Sequence, residues 1–395
     1  MRASWTQGLA FSVAALLGAT AMPAHAQGSL AISITYLEKK AEHPPTLSNF
    51  DLIPDDEGLA GARLAIKDTN STGKFLKHSY ALGEVVKESG GDILAEARKA
   101  LDGGPKIAIL NMPAADALAI ADLPEAADDL LFNAGAYDTA LRDDKCRRNM
   151  LHTLPSRAML ADALMQFLVK KQWTRIMLVT GHYPTDEALG EAFRNAAKKF
   201  GVTLNADKPW LADADIRRNA MQEVPLFTQD ADYDAIVAAD EENQFATFFQ
   251  YNSWQPRPIM GSAGLMTLAW SPAMEQWAAI QLQDRFNAFA KRKMDSIDYA
   301  SWLAVRSVGE AVTRTRSGDV AAIRAYLLGD QFGLDGFKGS RLSYRSWNGQ
   351  LRQPIALASR DALVTLAPIE GFEHENTELD TLGLDRPETK CTGME

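Results

Sequence analysis

The 395-residue chain is 46% hydrophobic and carries 41 basic against 51 acidic residues, a formal charge of −10. That hydrophobic content excludes a disordered chain, and the length suits two ordinary domains better than one. The acidic balance disfavours nucleic acid and anionic lipid surfaces, and no basic stripe or groove-reading motif offsets it.

The N-terminus reads as an export signal. Arg2 gives a positive start, residues 8–21 are almost wholly apolar, and Ala24-His25-Ala26 is a small-x-small cleavage site. Residues 1–26 are therefore expected to be a signal peptide and the mature chain to be periplasmic. The alternative is a membrane anchor, for which the apolar run is short; no lipidatable cysteine follows it.

Residues 31–37 (AISITYL) have the β-branched and aromatic content of a strand. Leu59, Ala62, Ala65 and Ile66 keep helical spacing, and Asn70 with Gly73 predicts the end of that helix. Strands are predicted at 80–87, 106–110 and 130–133, with helices at 92–101 and 114–121 between them. Residues 131–157 then hold a basic cluster (Arg142, Lys145, Arg147, Arg148), one cysteine and a Pro-Ser step. This stretch is read as the crossing from a first α/β lobe to a second. Beyond it come helix 159–170, strand 175–180, helix 186–200, a strand within 201–211, and helix 213–224. Strand 233–239, helix 243–251 and strand 258–262 follow, then long helices at 274–290 and 298–314. The segments 337–344, 354–358 and 363–367, with Asn348-Gly349, look like a hairpin and edge strands. Repeated strand–helix alternation implies an α/β fold of two doubly wound parallel-sheet lobes joined by a hinge.

Cys146 and Cys391 are the two cysteines. In an oxidising compartment they read as one disulfide; two free buried thiols are the alternative. The scattered histidines offer no zinc spacing. G-x-S-x-G, H-E-x-x-H, P-loop and G-x-G-x-x-G motifs do not occur, so no enzyme activity and no required cofactor are expected.

The opening strand followed by GLAGARLAIKDTN, then WTRIMLVTG, YDAIVAAD, RPIMGSAG and FKGSRLSYRSWNGQLRQPIAL, stand in an order that resembles the type I periplasmic binding proteins of ABC transporters, the group containing the leucine/isoleucine/valine-binding proteins. HTLPSRAMLADAL and the run from EQWAAIQLQDRF to DYASWLAVRSVGEAV are similar to a subfamily found with pyrroloquinoline quinone-dependent alcohol dehydrogenase systems. The resemblance implies an N-terminal lobe of 27–155 plus 262–345, a C-terminal lobe of 156–261 plus 346–373, and a tail of 374–395. It also implies a monomer that delivers its ligand to a membrane permease and ATPase; a ligand sensor without transport is the alternative.

In doubly wound sheets ligands bind outside the carboxyl ends of the strands. That rule selects Tyr36, Glu38, Asn111, Met112 and Tyr137 in the first lobe, and His182, Tyr183, Asp240 and Glu241 in the second, with Trp270 after the return crossing. Amino-acid-binding relatives hold the ligand carboxylate with hydroxyl side chains and backbone N–H groups after the third strand. Here that position reads Asn111-Met112-Pro113-Ala114-Ala115, without serine or threonine, and proline removes a donor. Asp240 and Glu241 suit an ammonium group. Arg142 and Lys145 suit instead a planar, anionic ligand, with pyrroloquinoline quinone as the expected one, because guanidinium groups pair bidentately with carboxylates. Lys145 is the candidate for reversible addition of its amine to a quinone carbonyl.

Overall fold

The computed structural model describes residues 29–48, 52–211 and 215–394. The expected signal peptide lies outside them. Among the described residues no helix is long and apolar enough to cross a membrane.

The first lobe opens with β1 (Leu30–Lys39), α1 (Leu59–Leu76), β2 (His78–Lys87), α2 (Ile93–Leu101), β3 (Ile107–Asn111), α3 (Ala114–Ala121), β4 (Leu130–Asn133) and β5 (Met150–His152). Its strands form one parallel sheet in the order β2-β1-β3-β4-β5. Runs such as Ile107-Ala108-Ile109-Leu110 are apolar at every position because both faces are covered. Ile34, Tyr36, Ile109 and Phe132 pack on one face, while Leu37, Ala108, Leu110 and Leu131 pack on the other.

α4 (Arg157–Lys170) begins the second lobe, capped by Ser156 Oγ, which accepts from Met159 N. It is followed by β6 (Arg175–Thr180), α5 (Pro184–Phe200), β7 (Thr203–Pro209), α6 (Ile216–Thr228), β8 (Ala235–Ala239), α7 (Ala246–Asn252), β9 (Ile259–Gly261) and β10 (Leu265–Leu268). The chain then returns to the first lobe with α8 (Ala279–Ala290), α9 (Ser296–Thr315) and α10 (Val320–Leu327). Trp302, Val305 and Val308 of α9 lie in the same core as Leu64 and Ala65 of α1. A small sheet of β11 (Leu334–Asp335), β12 (Arg341–Tyr344) and β13 (Leu351–Arg352) precedes β14 (Ile355–Ala358) and β15 (Leu363–Ala367). The last two add antiparallel at one end of the second sheet, ordered β15-β14-β10-β9-β8-β6-β7, with β15 at its edge. The α/β architecture of parallel-rich sheets and covering helices is the one expected.

Three local readings are corrected. α1 runs on through Asn70 and Gly73 to Leu76, because the Asn70 amide pairs with both backbone groups of Tyr80, at 2.8 Å each, instead of ending the helix. α8 starts at Ala279, since Trp277 and Ala278 are left-handed and stop it from extending to residue 274. β10, unforeseen in the sequence, joins the second sheet, so the return crossing falls near 268–269.

The C-terminal residues are tied down along their length. Asp380 Oδ1 accepts from Arg345 Nε at 2.7 Å and Arg352 Nε at 2.8 Å. Asp162 on α4 accepts from Gly383 N at 2.8 Å and from Lys199 Nζ at 3.1 Å. Thr389 then donates to the Arg142 carbonyl at 2.9 Å, and Cys391 is disulfide-bonded to Cys146 with a Cα separation of 5.6 Å. The segment is a strap that begins on the second lobe and ends on the first.

Candidate functional site

Side chains from both sheets meet at the C-terminal ends of the strands. Tyr36, near the end of β1, is buried, with its hydroxyl 3.0 Å from Asn111 Nδ2 at the end of β3. Both groups donate to the Glu57 carbonyl, at 3.4 and 3.2 Å. Gly58 follows with φ +78, and a Cβ there would lie 2.6 Å from the Tyr36 hydroxyl. Only glycine combines that backbone with that close approach. Gly58 N donates to Asp298 Oδ1 at 2.8 Å, which fixes the start of α1 against the start of α9.

Three carboxyls face this corner from separate elements: Glu38 from β1, Glu57 from the loop before α1, and Asp295 from the N-cap of α9. Burial pushes Glu38 up to about 7; Glu57, Glu88 and Asp56 add to the rise and Lys40 opposes it. Burial also raises Glu57, helped by Asp298 and countered by Arg292 and His43. Asp295 is raised well above the carboxylate range by burial, then by the charges of Asp298 and Glu57. Arg292 serves mainly Asp298, donating to both of its oxygens, and also Asp56. The Tyr137 phenol is raised first by burial and then by Glu241, Glu57 and Asp295, which places all three acids within its field.

From the second lobe, Glu241 binds Arg157 through two hydrogen bonds of 2.7 and 2.6 Å. The same guanidinium reaches Asp138 of the first lobe at 3.2 Å, so Arg157 joins the two sides. Residues 40–48 reach across from β1: His43 Nδ1 lies 2.9 Å from Glu242 Oε2, and Leu47 packs on the aromatic cluster containing Trp210 and Phe245.

Of the residues expected from sequence, Tyr36, Glu38, Asn111, Tyr137 and Glu241 gather here. Asp240 sits beside them but is committed to the fold, accepting from the N–H groups of Gln244, Phe245 and Ala246 at 2.6–2.7 Å. His182 is exposed and Tyr183 half-buried at the start of α5, with ring centroids 4.2 Å apart. Three placements are corrected. Met112 belongs to the core under β3, beside Leu37 and Leu110. Trp270 is 1% exposed and stacks on Tyr299 in the core of the first lobe, its indole N–H donating to Gln283. The basic cluster is dispersed. Arg142 is 2% exposed and donates to Gln350 Oε1 and to the carbonyls of Ala136, Asp138 and Leu154. Lys145 is exposed in the turn before Cys146, and Arg147 pairs with Asp122. Sequence reasoning missed Glu57, Asp295, Arg157 and His43; the Asp295–Asp298 capping box was the one local signal available.

A cavity of about 690 Å³ lies elsewhere, where the segments before β12 and β14 meet β15 and the tail, with Trp277, Lys338, Pro354 and Glu378 among its walls. Lys338 Nζ donates to Gln353 Oε1 and the Pro354 carbonyl, both at 2.9 Å, and sits over the Tyr299 ring, so it ties the segment before β12 to the one before β14. Among the described residues no cluster of His, Cys, Asp and Glu is arranged to hold a metal ion.

Comparison with known proteins agrees with this fold. A family model described as periplasmic binding protein matches residues 54–251, half of the chain. No curated protein matches. Among solved structures, a branched-chain amino acid ABC transporter periplasmic ligand-binding protein from Burkholderia xenovorans superposes with a TM-score of 0.71 at 15% identity, covering 92% of this chain and 100% of its own. An ABC transporter substrate-binding protein from Desulfitobacterium hafniense in complex with Leu gives 0.62 at 16% identity, covering 85% and 98%. A solute-binding protein from R. palustris in complex with benzoate gives 0.63 at 13% identity, covering 92% and 100%.

Proposed function

The chain belongs to the periplasmic binding protein family, and from that membership we propose that it is the solute-binding component of an ABC-type uptake system, not an enzyme. It is exported, acts as a monomer, closes on one small molecule between its lobes, and presents the closed form to a permease and its ATPase. The lobes are those outlined by the two sheets, with the hinge near 153–156, 268–269 and 353–354. The observation that carries this reading is the Arg157 guanidinium, held by Glu241 on one side and Asp138 on the other. It marks where strand ends of both sheets converge, the position at which α/β sheets take ligands. A ligand touching both sides favours the closed state by the contacts it makes only there.

Pyrroloquinoline quinone was the ligand expected from the sequence, and the geometry favours it less. A planar polyanion needs unspent cations, whereas Arg142 is buried on carbonyls, Arg157 and Arg292 are paired with acids, and Lys145 stands in an exposed turn. The structural neighbours named with amino acid and benzoate ligands widen the choice to amino acids and small carboxylates, and the acids at the strand ends add small amines. The test is a thermal-shift and small-angle scattering screen of the full mature chain against these classes and the quinone. One class is expected to raise the melting temperature and shrink the radius of gyration together. If no class does either, the binding-protein reading falls.

A further inference from the structure

We propose that the ligand of this cleft carries a cationic head, an alkylammonium or guanidinium, which docks on Glu38, Glu57 and Asp295 in the first lobe. The inference rests on the binding-protein reading above and deepens it.

Clustered acids in an acidic protein are by themselves ordinary, and what sets this corner apart is the enclosure of Glu38, with Glu57 and Asp295 half-buried beside it. Glu38 is 5% exposed, and its Oε2 is sealed from solvent without a hydrogen-bond partner among the described residues. A buried acceptor left in that state costs about 1–3 kcal/mol, and more if charged. It sits at the end of β1 opposite Asn111, on the side where Tyr36 and Glu57 meet. A ligand N–H would complete it. Asp295 and Glu57 come at the same corner, and Tyr137 with Glu241 bounds it from the other side.

The surrounding cations leave the position open. Lys39 is paired with Asp116, Lys40 with Glu88 and His43 with Glu242, while Arg292 is spent on Asp298 and Asp56 and reaches Asp295 only at 3.5 Å, leaving Glu38 without a cation. The means of holding an anion are correspondingly poor: Pro113 offers no N–H, and the Asn111 amide is already spent on Tyr36 and the Glu57 carbonyl. An ammonium or guanidinium brings three to five donors to a corner where Glu38 Oε2 lacks one and free donors are scarce. Because buried carboxyls hold protons at neutral pH, docking of the cation expels protons to solvent. The groups facing these acids are Lys40, Asp56, Glu88, His43, Arg292 and Asp298.

The test is isothermal titration of the full mature chain with 1,4-diaminobutane and agmatine, with leucine and benzoate as zwitterionic and anionic probes, in two buffers of different ionisation enthalpy. An amine or guanidine is expected to bind with proton release, and Glu38→Gln and Glu57→Gln each to weaken it at least tenfold while remaining folded by circular dichroism. Binding of leucine or benzoate with no response to either cation overturns this proposal and leaves the binding-protein reading standing. So does amine binding that is indifferent to both substitutions and releases no proton. If no probe of any charge binds and none shifts the melting temperature, the reading on which the proposal rests fails with it.

Discussion

His43 Nδ1 and Glu242 Oε2 approach to 2.9 Å although 199 residues separate them, and they belong to opposite sides of the cleft. His43 is 42% exposed at its side chain, so the pair is partly screened and contributes about 0.2–1 kcal/mol. That energy biases closure without locking it. His43→Ala is expected to shift the unliganded ensemble towards open forms by a factor of about five at most, read as a larger radius of gyration. An unchanged scattering profile would show that Leu47 and the bond from Gln244 Nε2 to the Pro45 carbonyl, 3.4 Å long, hold residues 40–48 without it.

Arg142 and Lys145 separate structural from functional charge. Arg142→Ala leaves the Gln350 amide oxygen without its donor in the interior and takes one of two donors from each of the Ala136, Asp138 and Leu154 carbonyls. The expected loss is about 1–3 kcal/mol from the orphaned acceptor, measured by denaturant unfolding. Lys145→Ala should change stability by less than about 0.5 kcal/mol and leave ligand affinity unaltered, including affinity for the quinone if it binds. Loss of binding in the Lys145 variant alone would restore the amine-addition idea.

The raised carboxyls fix a sign. In the folded chain Glu38, Glu57 and Asp295 retain protons that the unfolded chain has released above the ordinary carboxylate range. Between that range and about 7 the folded state binds more protons, so these groups make stability fall as pH rises. Glu38→Gln removes one such contribution. Compared with the parent, it should gain stability at pH 8 and little at pH 4, with an upper bound of about 3 kcal/mol from roughly 1.4 kcal/mol per pKa unit. A variant less stable than the parent at pH 8 contradicts the assignment.

The strap offers a fourth check. Cys391→Ser opens a loop spanning 245 residues, worth about 5.5 kcal/mol at most in the chain-entropy account. Asp380→Asn leaves Arg345 buried without its counter-charge and is expected to cost about 3–5 kcal/mol. Thermal unfolding with and without reductant measures the first; the second should lower the melting temperature in both conditions.

The lobes were legible because buried parallel strands read as short apolar runs between amphipathic helices, as in Ile107–Asn111 and Ala235–Ala239. The strand-end rule found Tyr36, Glu38, Asn111, Tyr137 and Glu241 for the same reason: their places follow from strand boundaries. Glu57 and Asp295 escaped because each enters the site from a helix start brought in by α1–α9 packing, a relationship about 240 residues long in sequence. Arg142 misled for the complementary reason. Its partner Gln350 is 208 residues away, and nothing local distinguishes a buried guanidinium from a solvated one. The disulfide needed only the count of cysteines.

That count also sets a condition on biogenesis. Cys146 is made 245 residues before Cys391, and the chain holds no third thiol with which it could form a temporary internal bond. At about 5–20 residues per second, Cys146 waits about 12–50 s for its partner to be synthesised. Any disulfide formed in that interval must be to another molecule. High-level expression into an oxidising compartment therefore favours crosslinked dimers through Cys146, and a thiol–disulfide isomerase is the factor whose supply decides the yield of monomer.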